Sequence, residues 1–107
     1  MNYKIETTPR FDKDVKKLNK RFPKLKDDLN ELIKNLSDEP ELGTHLEGGI
    51  FKIRLKNSSI PTGKSGGFRV ITYYVKDDIL FLVTMYSKND TDTILTDKLK
   101  EIIQTEI

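Results

Sequence analysis

The chain of 107 residues has no cysteine, so neither a disulfide framework nor a thiolate metal site is open to it. Stability has to come from packing. His45 is the single histidine, which rules out ribonuclease chemistry built on a histidine pair and leaves little for an imidazole metal site. No apolar run approaches the length that spans a bilayer, and Met1 to Glu6 lack the basic and apolar blocks of a secretory signal. The expected location is the cytoplasm, with no membrane partner. Acidic residues are missing altogether from residues 50 to 76, which carry six Lys or Arg.

That gap belongs to a block pattern hidden by a formal net charge of +2. Residues 1 to 26 hold nine basic and three acidic side chains, 27 to 49 one and seven, and 77 to 107 three and seven. A cationic segment in a nearly neutral protein points to a local phosphate-binding surface, not to general adhesion to nucleic acid. The length fits one domain spanning 1–107, with room for one core.

Periodicity divides the chain into elements. Tyr3 and Ile5 alternate with Lys4 and Glu6, predicting a short edge strand stopped at Pro9, with Thr8 placed to cap a helix. Phe11, Val15, Leu18 and Phe22 recur at helical spacing with lysines on the other faces. Pro23 separates them from a second stripe of Leu25, Leu29, Leu32, Ile33 and Leu36, which predicts an antiparallel helix pair.

Residues 42–49 read as a connection, after which the apolar period drops to two. Phe51, Ile53 and Leu55 then share one strand face and Lys52, Arg54 and Lys56 the other. Asn57 to Gly67 is a Gly, Ser and Pro-rich loop. Phe68 to Lys76 and Ile79 to Ser87 predict a hairpin turning at Lys76-Asp77-Asp78. Leu95, Leu99, Ile102 and Ile103 give a last helix with Asp92 or Thr93 as cap. The order β-α-α-β-β-β-α implies an α+β fold, two N-terminal helices on one face of an antiparallel sheet and a C-terminal helix, with the opposite face left for the basic residues.

Gly63-Lys64-Ser65 looks like the end of a mononucleotide phosphate loop, but position 58 is serine and a β-rich run follows where a helix is needed. Gly66-Gly67 lets the backbone turn into a strand and approach another backbone or a phosphate without a Cβ in the way, or serves as an ordinary hairpin loop. His45 reads as a surface residue, and Asp90 and Asp92 as turn and cap residues, not metal ligands. Tyr73, Tyr74 and Tyr86 read first as strand packing, and Tyr86, two residues before Lys88 at a strand end, is the best candidate among them for stacking on RNA.

Phe51-Lys52-Ile53-Arg54-Leu55, Gly63-Lys64-Ser65-Gly66-Gly67-Phe68-Arg69-Val70-Ile71 and Met85-Tyr86-Ser87-Lys88-Asn89, in that order, resemble the HigB-like branch of the RelE/ParE toxins. Pro9 with Phe11, the two-helix hairpin and the turn at Pro40, Leu42 and Gly43 extend the resemblance over most of the chain. The resemblance implies a RelE-like fold and ribosome-dependent cleavage of mRNA by attack of its own 2′-hydroxyl on the adjacent phosphate, with no metal or other cofactor.

Carried over, Arg69 would stabilise the scissile phosphate and Lys88 would assist acid/base transfer or charge stabilisation. Lys52, Arg54, Lys64 and Tyr86 would hold RNA. The sequence departs from some relatives in having Lys88-Asn89 in place of a terminal-strand arginine and no matching downstream catalytic tyrosine. Implied partners are the ribosome with its mRNA, a cognate antitoxin of the helix-turn-helix kind, and operator DNA as the toxin–antitoxin complex. A ParE-like inhibitor of DNA gyrase shares the fold, and so would a non-catalytic remnant that only binds a partner.

Overall fold

Thr8 shows how the sequence starts the fold: its side chain accepts a hydrogen bond from the Phe11 backbone N–H at 3.1 Å and its hydroxyl donates to the Val83 carbonyl at 2.7 Å. One residue thus caps a helix and ties it to a strand 75 positions away. The computed structural model describes residues 3–61, 66–91 and 93–107. Its elements are β1 (Lys4–Thr7), α1 (Pro9–Arg21), α2 (Leu25–Asp38), β2 (Thr44–Glu47), β3 (Ile50–Leu55), β4 (Phe68–Val75), β5 (Ile79–Ser87) and α3 (Thr96–Glu106).

The five strands form one sheet in the order β1-β5-β4-β3-β2. Neighbours among β2 to β5 run antiparallel, while β1 lies parallel to β5, the chain between them supplying the long crossover that a parallel pair requires. The expected α+β order holds, with β2 added within the stretch read as a connection. Thr44-His45-Leu46-Glu47 is too polar and too short to show a strand period, and it forms only because β3 offers it an edge.

Helices α1 and α2 bury Phe11, Leu18, Leu25, Leu29, Leu32 and Leu36 against Ile53, Phe68, Val70, Leu80, Leu82 and Met85. The Phe22 and Phe68 rings meet edge to face at 5.4 Å. The other face is only partly open, contrary to the expectation that it is left to the basic residues. There α3 packs Leu99 and Ile102 onto Ile50, Ile71 and Val83. The C-terminal helix also starts later than its apolar spacing suggests. Leu95 is its N-cap residue and is 74% exposed, Thr93 lies before it, and Asp92 falls outside the described residues.

A register shift decides which side chains of β5 share the face of α3. Ile71 pairs with Thr84 and Thr72 with Leu82, so Val83 is an extra residue in β5. Leu80 and Leu82 face α1 and α2. Strict alternation would send Thr84 and Tyr86 the same way, but the bulge resets the pleat, turning Met85 to the helices and Tyr86 to the other face.

Candidate functional site

Pairing across three strands assembles the basic positions. Arg54 of β3 stands opposite Arg69 of β4, and Arg69 stands opposite Tyr86 of β5. Directly opposed side chains on one sheet face have Cβ atoms about 4.5–5.5 Å apart. Lys52 is one same-face position along β3, opposite Ile71. Lys88 follows the end of β5, where its backbone N–H donates to the Gly67 carbonyl at 2.9 Å, so it sits one pair beyond the Phe68–Ser87 pair. Arg69 is therefore central, with Arg54 and Tyr86 beside it and Lys52 and Lys88 at diagonal positions, about 7–8 Å away by strand geometry. The row lies beyond Ile71, where the cover of α3 ends.

Two guanidinium groups directly opposite each other oppose sheet pairing. Arg69 is moreover only 5% exposed, and its Nη1 donates to the Phe68 carbonyl at 3.1 Å. The five strand positions around it, 52, 54, 71, 86 and 88, carry Lys, Arg, Ile, Tyr and Lys. Such a concentration of charge fits an anion better than it fits stability alone, since planar guanidinium groups present paired donors to phosphate oxygens.

The approach of backbones at Gly67 holds the row together. A Cβ at Gly67 would collide with the Leu55 carbonyl oxygen and lie 3.1 Å from the Asn57 backbone nitrogen. Of the alternatives open from sequence, the close approach to another backbone is the one found. Across from it, the loop leaving β3 is anchored to α2. The buried Asp28 carboxylate accepts from the Ser58 N–H at 2.9 Å and from the Ser58 hydroxyl, and the Lys24 N–H donates to Ser59 Oγ at 3.0 Å. The turn after β5 is anchored to α1, Arg21 donating two hydrogen bonds to the Asp90 carboxylate.

Arg21 holds the Asp90 carboxyl below the ordinary carboxylate range, first through its hydrogen bond and then, with Lys17, through charge.

Five of the six residues expected at the site, Lys52, Arg54, Arg69, Tyr86 and Lys88, are thus brought into one group, and Lys64 lies outside the described residues. Tyr86 is 8% exposed, so it forms part of the floor more than an open stacking face. Tyr73 stacks on Phe81 and Tyr74 meets Tyr3 edge-on, both as packing. His45 lies on β2 against Phe51, on the face away from Lys52 and Arg54. Two features escaped the sequence reading: the bulge, whose signal is the broken alternation from Leu82 and Val83 to Met85, and the basic side of α1 lying along β5. Among the described residues no three His, Asp or Glu side chains gather in a metal-holding group, and no helix is long and apolar enough to cross a membrane.

The family model described as RelE toxin of RelE / RelB toxin-antitoxin system matches residues 4–105. The chain belongs to the RelE toxin family. No curated protein matches it. Membership makes this RelE-family chain the toxin half of a toxin–antitoxin pair, with an antitoxin as partner, in a family whose toxins are generally ribonucleases.

Proposed function

We propose that this RelE-family toxin is a HigB-like, ribosome-dependent mRNA endoribonuclease. The observation that carries the reading is the Arg54–Arg69–Tyr86 row, flanked by Lys52 and Lys88, on the sheet face beyond the packing of α3. In the reaction, the 2′-oxygen of the mRNA bonds to the adjacent phosphorus and the bond from phosphorus to the 5′-oxygen breaks, leaving a 2′,3′-cyclic phosphate and a 5′-hydroxyl. The 2′-hydroxyl loses a proton and the departing 5′-oxygen gains one.

Arg69 supports the charge that builds on the non-bridging oxygens, and Lys88 delivers the proton or neutralises the leaving oxygen. Lys52, Arg54 and Lys64 offset the charge of flanking phosphates, with Tyr86 beneath the strand. Orientation of the 2′-hydroxyl comes largely from outside the toxin. mRNA held in the decoding site supplies it. Cytoplasmic location and operator binding as a toxin–antitoxin complex belong to the same reading.

The test is mRNA cleavage in reconstituted translation with and without ribosomes, using wild type, Lys88→Ala and Arg69→Lys. The lysine keeps the charge at a buried position but loses the paired donors. A folded Arg69→Lys is expected to cut about 10²- to 10³-fold more slowly, as when one transition-state donor is removed. If wild type leaves mRNA intact while still arresting growth, the nuclease reading is wrong and gyrase is the target to examine.

A further inference from the structure

β1 covers the outer edge of β5 only as far as Leu82, and from Val83 onward α1 takes its place. The polar groups exposed by this handover are satisfied from α1. Asp14 accepts from the Thr84 hydroxyl at 2.5 Å and from the Met85 N–H at 3.2 Å, and Arg10 Nε donates to Thr84 Oγ1 at 3.3 Å. Between α1 and the turn that follows β5 a cleft of about 220 Å³ remains. Tyr86, the last member of the site row, is part of its wall.

The charges lining this cleft do not cancel where it is open. Both carboxylates are engaged, Asp14 with β5 and Asp90 with Arg21. Arg10 uses its Nε on Thr84. Lys17 is exposed, and among the described residues no carboxylate lies within ion-pair distance of it. Its charge is nonetheless felt inside the cleft, because it contributes to the lowered proton affinity of Asp90. A cavity with its acids tied down and a lysine at its mouth is suited to a single phosphate group. Strands are spaced about 4.8 Å apart, so the step from Arg69 across Tyr86 to α1 is on the order of 10 Å. One or two nucleotides of an extended strand cover that span.

We propose that the cleft between α1 and the turn after β5 is a second phosphate subsite, in which Lys17 and the guanidinium of Arg10 hold an mRNA linkage flanking the one at Arg69. The assignment rests on the ribonuclease reading above. It makes α1 part of the substrate path and not merely a structural layer.

The experiment measures single-turnover cleavage on ribosomes programmed with mRNAs carrying one uncharged methylphosphonate linkage at successive positions beside the cut. Wild type, Lys17→Ala and, as a control for bulk charge, Lys34→Ala on the outside of α2 are compared. Lys17→Ala is expected to raise the toxin concentration for half-maximal cutting about five- to tenfold, the loss of one charge-assisted contact. At one linkage the methylphosphonate is expected to cost wild type the same factor and to cost Lys17→Ala nothing further.

Equal penalties for wild type and Lys17→Ala at every linkage overturn the subsite and assign Lys17 to contact with the ribosome itself. An effect of Lys34→Ala as large as that of Lys17→Ala overturns it as bulk electrostatics. Absence of cutting by wild type on unmodified mRNA brings down the ribonuclease reading instead, an outcome visible before any variant is made.

Discussion

Replacing Gly67 by alanine adds a single carbon where two strands and a turn meet. That carbon would run into the Leu55 carbonyl oxygen and sit 3.1 Å from the Asn57 nitrogen. Both neighbours are backbone atoms, so no side chain can rotate away. Relief comes only by separating the end of β3 from the start of β4, which loosens the Leu55–Phe68 and Arg54–Arg69 pairs and the bond from Lys88 N–H to Gly67 carbonyl. Overpacking typically costs about 1–3 kcal/mol and a lost backbone hydrogen bond about 1, so the expected destabilisation is about 2–4 kcal/mol. For a chain of this size that lowers Tm by on the order of 10–20 °C.

Gly48 provides the comparison, since a Cβ there meets nothing within 4 Å and only its φ of +47° opposes alanine, at about 1–2 kcal/mol. Both substitutions stiffen the unfolded chain alike, so that contribution cancels between them. Thermal and urea unfolding followed by circular dichroism give the two values, and mRNA cleavage at a temperature where both variants are folded gives the functional one. Gly67→Ala is expected to be the less stable and to cut more slowly than Gly48→Ala. Equal stability and equal cutting would refute the argument that this contact sets the spacing of the basic row.

Asp28→Ala is expected to cost about 2–3 kcal/mol, because it strips the Ser58 N–H and hydroxyl of their shared acceptor in a buried setting; urea midpoints measure it, and Asp28→Asn should recover part of the loss. The Arg21–Asp90 pair should be sensitive to acid. The Asp90 carboxyl is held below its ordinary 3.8 by the Arg21 hydrogen bond, so the folded state binds its proton less readily than the unfolded one. Its contribution is present above the ordinary value and fades as pH falls through the depressed one. NMR titration of the Asp90 carboxyl should therefore give a midpoint below 3.8 that moves up in Arg21→Ala, and an unchanged midpoint would contradict the pairing.

The parts of the fold that were legible in the sequence are those governed by repeated local patterns. The stripe of Leu25, Leu29, Leu32 and Leu36 and the alternation of Phe51, Ile53 and Leu55 with Lys52 and Arg54 each commit several residues to one face. Thr8-Pro9 marks a helix start with two independent signals. What stayed hidden depends on partners distant in the chain. Thr44–Glu47 becomes a strand only because β3 has an edge to offer, and Leu95 leaves the apolar stripe because the helix begins after it. The site was half legible. Its residue types and order were readable, but the placing of Tyr86 beside Arg69 requires the extra residue at Val83, and the burial of Arg69 requires the packing around it. Lys17 reads in sequence as one of several lysines on the outer faces of an amphipathic helix, because nothing local tells that α1 replaces β1 along β5.

The parallel pairing of β1 with β5 has a consequence for how the chain is made. Lys4 to Thr7 are made some 75 residues before the strand they pair with, Ile79 to Leu82. Until that segment has left the exit tunnel the sheet has no centre, Arg69 has no Tyr86 beside it, and Thr8 has no Val83 carbonyl to hold. The basic row is therefore assembled only once Ile79 to Ser87 have been made, however early the other strands appear.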